Sequence, residues 1–182
     1  YGQKVVAVAI PMGEADQYRG YVDLLEMKAC PARSPFGEEA PQEIPAPWQD
    51  AAARWRDQLV EAVAATDDEL TARFLEEQPI TGQELKEALR RAVAQGALVP
   101  VMCGSALRGS GVRLLLDLMV DALPSPLDLP VPRGEDTRSG QVVERPADPQ
   151  GPLTVYVFKT MADPYVGRLS LFRVYSGTLR SD

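Results

Sequence analysis

Not one histidine occurs in the 182 residues. That absence removes the Ser-His-Asp and Cys-His nucleophile systems, the H-E-x-x-H metal site and the usual proton shuttle at neutral pH. Cysteine is nearly as scarce. Cys30 and Cys103 stand far apart without a C-x-x-C partner, so neither a disulfide framework nor a zinc site is expected, and both read as small buried side chains. No apolar stretch approaches the roughly 20 residues that a membrane-spanning helix needs, and the N-terminus has no charged region leading into an apolar one. Positive charge is also in deficit: 19 Lys and Arg against 26 Asp and Glu leave a net charge of −7. This balance argues against a general nucleic-acid binder and for a basic partner. A soluble, cytoplasmic protein with no membrane or DNA partner is expected.

What is present is enough for a core, since 45% of the residues are hydrophobic and the length suits one good-sized domain or two small ones. The valine-rich run 4–10, stopped by Pro11-Met12-Gly13, predicts a mostly buried strand, and a second strand is expected over 20–29. Residues 31–47 crowd proline, glycine and acidic side chains without period, as a surface loop does. Over 49–64 the pattern becomes two-sided. Ala52, Trp55, Leu59, Ala62 and Val63 share one helical face, with Asp50, Arg54, Asp57 and Glu61 opposite. Trp48 and Trp55 read as core or staple residues. Thr66 with Glu69, and Thr81 with Glu84, have the spacing at which a hydroxyl and a carboxylate satisfy each other's backbone donors. They predict helices over 67–77 and from 81 to Gly96; the latter carries Leu85, Ala88, Leu89, Ala92 and Val93 on one stripe.

A strand–loop–helix unit follows. Residues 98–102 are β-prone, Cys103-Gly104-Ser105-Ala106 forms the loop, and a helix from Gly111 carries Val112, Leu115, Leu116, Met119, Val120 and Leu123 on one face until Pro124 and Pro126. Residues 128–151 read as an aperiodic linker. The remainder predicts two strands, 153–161 and 169–176, with Tyr156, Phe158, Phe172 and Tyr175 alternating as core residues do. About 30 residues are too few for a stable all-β domain, so the sequence is expected to stop inside one.

Three segments carry a resemblance. Ile10-Pro11-Met12-Gly13 with Gly20-Tyr21-Val22-Asp23-Leu24, Cys103-Gly104-Ser105-Ala106-Leu107 through Leu123-Pro124-Ser125-Pro126, and Met161-Ala162-Asp163-Pro164-Tyr165-Val166-Gly167-Arg168-Leu169 through Tyr175-Ser176-Gly177 resemble elongation factor G in order and separation. That family comprises multidomain GTPases of protein synthesis that drive translocation on the ribosome. The resemblance implies an α/β (α+β) chain holding part of a P-loop-GTPase-type G domain over 1–127. Within it would lie an inserted helical and strand subdomain at about 11–96 and a guanine-loop unit at 97–123. A linker at 128–151 and the first strands of an incomplete β-barrel, translation-factor domain II, at 152–182 would follow. Gly104, Ser105, Ala106 and Leu107 would form part of the guanine pocket, with the Ala106 N–H toward the base and the serine hydroxyl bracing the loop. The helix bearing Asp50, Arg54, Asp57 and Glu61 would face the basic C-terminal domain of the ribosomal stalk protein, although Arg54 interrupts the acidic stripe. Gly167 and Arg168 would approach ribosomal RNA.

The parent chemistry requires a G-x-x-x-x-G-K-[ST] phosphate loop, a D-x-x-G segment sensing the γ-phosphate and an N-K-x-D segment reading guanine, and this sequence is read as lacking all three. No catalytic residue, cofactor or metal is therefore expected in this chain, whereas the parent would use GTP or GDP with magnesium. One base contact is worth only about 1–3 kcal/mol, so nucleotide binding no tighter than millimolar follows. Other readings of the same residues remain. The acidic helix face is also what a solvated surface looks like, and a Gly-Ser-Ala loop is often a plain connection. A related ribosome-binding GTPase, such as a ribosome-protection protein or a paralogue, would share most of these residues. Arg108-Gly109-Ser110 departs from the lysine and asparagine more usual in the family. A stand-alone acidic adaptor for a basic protein is the reading from a different class.

Overall fold

The computed structural model describes residues 4–33 and 37–181. It is a mixed α/β chain with four helices and several small sheets among those residues, divided into two compact units, Tyr1–Pro124 and Ser125–Asp182. Residues 34–36 of the expected surface loop and Asp182 of the expected barrel strands lie outside the described residues.

In the first unit the valine-rich run is not one strand but two. β1 (Val5–Ala7) pairs in parallel with β5 (Val99–Val101), while β2 (Ala9–Pro11) pairs antiparallel with β3 (Gly20–Asp23). Val8, fully buried, is the switch point: its N–H donates to Val101 O at 2.8 Å, and its carbonyl accepts from Leu24 N at 3.0 Å. The expected strand over 20–29 is likewise a hairpin, β3 turning into β4 (Lys28–Pro31). Asp23 breaks it, because its carboxylate accepts from Leu25 N at 2.8 Å and Glu26 N at 3.2 Å and so folds the backbone into a turn.

The first helix packs on β1, and the second and third pack on the first. α1 (Ala46–Ala64) buries Ala52, Leu59, Val63 and Ala64. Trp55 departs from its expected place on that face and stands 44% exposed, whereas Trp48 packs against the core. The half-buried neighbour is Arg56, whose guanidinium donates to Leu24 O at 2.5 Å and Leu25 O at 3.1 Å, closing the carbonyls of the hairpin turn. α2 (Asp68–Leu75) is capped one residue later than the spacing suggested. Asp67 accepts from Glu69 N and Leu70 N, while the Thr66 hydroxyl is engaged with Val63 O. α3 (Gly82–Ala94) has the reciprocal Thr81–Glu84 cap and buries Leu85, Ala88, Leu89 and Ala92.

α4 (Val112–Ala122) buries Leu114, Leu118 and Ala122, which join the core alongside α3. The stripe expected to face inward, Val112, Leu115, Leu116, Met119, Val120 and Leu123, is exposed instead, Val120 at 77%. This helix is apolar nearly all round, so periodicity cannot choose its buried side and the packing of α3 does.

The second unit is β. The stretch expected as a linker contains a small hairpin, β6 (Arg133–Glu135) with β7 (Val142–Glu144), held by an Arg133–Glu144 ion pair at 3.0 Å. β8 (Thr154–Asp163) and β9 (Gly167–Ser176) form a long hairpin with register shifts at Thr154/Val155 and Val157/Lys159. Tyr156, Phe158 and Phe172 are exposed on it, contrary to the core role their alternation suggests. The sheet that they form has two strands among the described residues.

Candidate functional site

β5 leads into residues 102–111 and then α4, so the loop Gly104-Ser105-Ala106 sits between a strand end and a helix start. Ser105 and Ser110 close it as an isolated antiparallel bridge, with Ser105 N donating to Ser110 O at 2.8 Å and Ser110 N to Ser105 O at 3.1 Å. The Ser105 hydroxyl accepts from Arg108 N at 3.4 Å. Backbones cross closely at the neck of the loop: a Cβ on Gly104 would lie 2.7 Å from Ser110 O, and Gly111 adopts φ +82° beside it. Glycine is required here for proximity as much as for conformation. Above the neck Ala106 is exposed and Leu107 is 91% exposed.

Four polar contacts from distant sequence support the loop from below. The Tyr18 and Ser110 hydroxyls lie 3.0 Å apart, and Ser110 is only 1% exposed. Burial pushes the Tyr18 phenol up, so it stays protonated at neutral pH. Arg108 Nη1 donates to Tyr18 O at 3.0 Å, and Arg108 O accepts from Gly37 N at 2.6 Å. Glu38 spans two donors, accepting from Tyr21 Oη at 3.1 Å and from Gly111 N at the start of α4. A carboxylate there also faces the positive end of the helix dipole. Motif reading singled out neither Tyr18 nor Glu38. Neither has a periodic signature, and only the fold brings positions 73 and 92 residues apart into contact.

Cys30 and Cys103 are free thiols touching the same small apolar cluster as Ala9, Tyr21 and Leu114. Burial raises both, Cys103 to about 11, which leaves them protonated and poorly nucleophilic at neutral pH. Among the described residues no three metal-ligating side chains gather, and no helix is long and apolar enough to cross a membrane.

Asp50, Arg54, Asp57 and Glu61 are all exposed on α1, on the side away from Ala52, Leu59 and Val63. The hydrogen bonds of the 104–111 loop go to residues 18, 37 and 38, not to this helix. Gly167, at φ +80°, and the exposed Arg168 open β9 in the second unit, after a turn in which Asp163 accepts from Tyr165 N at 2.8 Å and Val166 N at 2.9 Å. One string does have D-x-x-G spacing, Asp148-Pro149-Gln150-Gly151, which corrects the reading that the pattern is missing altogether. It forms a turn of the second unit. The Asp148 carboxylate is occupied by Gln150 N at 2.8 Å and its carbonyl by Gly151 N at 3.1 Å and Gly177 N at 2.8 Å.

No protein-family model matches the sequence. Among solved structures, the chain is similar to the crystal structure of ttk003000868 from Thermus thermophilus, at 32% sequence identity and a TM-score of 0.68. The match covers 96% of this chain and 23% of that one, so the sequence spans less than a quarter of that protein's length.

Proposed function

We propose that this chain is a portion of a translational GTPase of the elongation factor G type, acting in protein synthesis on the cytoplasmic ribosome. In this reading the first unit supplies the end of a P-loop-type G domain with an inserted subdomain, and the second the opening strands of domain II. The observation that carries the proposal is the loop between β5 and α4. Its neck is closed by Ser105 and Ser110, and its tip residue Ala106, whose N–H would meet a purine carbonyl in this reading, is exposed. The exposed apolar face of α4 supports the same reading, because a helix with apolar residues well beyond its buried stripe is ordinarily enclosed by further polypeptide. The chain itself carries no catalytic role: it lacks a phosphate cradle, and the phosphate grip with its magnesium belongs to the parent. Asp50, Arg54, Asp57 and Glu61 are the surface offered to the stalk protein's basic domain, and Gly167 with Arg168 the one offered to ribosomal RNA.

Amide NMR of the chain with GDP and with ADP at several millimolar tests the guanine assignment. Shifts confined to residues 104–107 and produced by the guanine nucleotide alone support it. Equal responses to both nucleotides, or none near the loop, overturn it. Micromolar affinity would overturn the view that the phosphate grip lies elsewhere.

A further inference from the structure

We propose that Glu38 and Tyr18 are positioning residues for the 104–106 loop, so that the two segments flanking β3 and β4 set the shape of the backbone offered to the base. The assignment of a nucleotide role to this brace rests on the guanine reading of the loop; the brace itself does not. Glu38 ties Gly111 N to the Tyr21 hydroxyl, fixing where the loop ends and α4 begins. Tyr18 holds the other side through the Ser110 hydroxyl, whose buried position leaves no bulk water to replace the bond. Arg108 locks the two together by donating to Tyr18 O at 3.0 Å and accepting from Gly37 N at 2.6 Å. The Ser105–Ser110 closure is thus gripped from both sides by chain 70 to 90 residues earlier. Glu38 also forms part of the wall of an open groove of about 780 Å³ shared with Tyr21, Cys30, Val112 and Leu116. A displacement of this segment would reach the loop through the Glu38 carboxylate and the Gly37 N–H.

Amide hydrogen exchange on the 182-residue chain separates this role from general packing. In Glu38→Ala the Ser105 and Ser110 amides should exchange about tenfold faster, as expected for loss of one charge-assisted hydrogen bond. Amides in α1 should keep their wild-type rates. Glu38→Gln retains an acceptor for Gly111 N and should restore protection. Tyr18→Phe, which removes one oxygen and is well tolerated sterically, should accelerate Ser110 and leave α1 unchanged. With millimolar GDP, the shift at the Ala106 amide should vanish in Glu38→Ala and return in Glu38→Gln. Unchanged loop protection in both Glu38→Ala and Tyr18→Phe overturns the proposal, as does a uniform acceleration that includes α1. Loss of loop protection in these variants, with no guanine response from the wild type, would instead remove the nucleotide reading and leave the brace.

Discussion

Replacing Gly111 by alanine tests the close backbone crossing at the neck of the loop. Gly111 sits at φ +82°, and a Cβ there would lie 2.8 Å from Cys103 O and 2.9 Å from Gly104 Cα, both backbone atoms unable to swing aside. Two effects add: about 1–2 kcal/mol for a left-handed residue with a side chain, and about 1–3 kcal/mol for overpacking. The total, about 2–5 kcal/mol, is a large part of the stability of a small domain. Gly96→Ala is the internal control, since Gly96 has φ +68° yet its added Cβ would meet nothing within 4 Å among the described atoms. That variant should lose only the first contribution. Both tryptophans lie in the first unit, so urea unfolding followed by tryptophan fluorescence reports on it alone. With a slope of about 2 kcal/mol per molar urea, Gly96→Ala should lower the midpoint by about 0.5–1 M and Gly111→Ala by about 1–2.5 M. Equal shifts for the two variants would refute the crossing as a steric constraint.

The triple change Asp50→Asn, Asp57→Asn, Glu61→Gln should weaken binding of the stalk protein's C-terminal domain by about threefold to a hundredfold at low salt. Circular dichroism should show equal helix content, and equal affinities at low and high salt would reduce this face to an ordinary solvated surface. Glu84 should give the first unit an acid-sensitive contribution. Arg73 at 2.6 Å, then the Thr81 N–H and hydroxyl, hold its carboxyl down at about 2. A depressed carboxylate stabilises above the ordinary glutamate range, and that gain is lost as pH falls toward 2. The urea midpoint should therefore fall across this window in the wild type and flatten in Glu84→Gln; parallel pH profiles would count against it. Amides of residues 153–181 should exchange rapidly, because the β8–β9 hairpin has no third strand among the described residues and most of its large side chains are exposed. Slow exchange throughout that segment in a demonstrated monomer would contradict this.

Local rules decided a good deal from sequence alone. The Thr81–Glu84 cap, the stripe Leu85, Ala88, Leu89 and Ala92, and the turn at Asp163 follow from interactions within four residues, so their causes lie in adjacent letters. The order of strand, Gly-Ser-Ala loop and helix was legible for the same reason. The tertiary structure decided matters in which several local answers were equally good. Val8 could continue one strand, yet its N–H and carbonyl face different sheets, and only the arrival of Val101 and Leu24 divides the run. α4 has apolar residues on every side but the stripe of Arg113, Asp117 and Asp121, and α3 selects Leu114, Leu118 and Ala122. Trp55 yields the inner position to Arg56 because the open carbonyls of Leu24 and Leu25 need donors that an indole placed there could not supply twice. The brace at the loop was illegible for the same physical reason. A hydrogen bond between Tyr18 and Ser110, or between Glu38 and Gly111, depends on long-range closure of the chain, and no periodicity in the sequence records which distant groups that closure will bring within 3 Å.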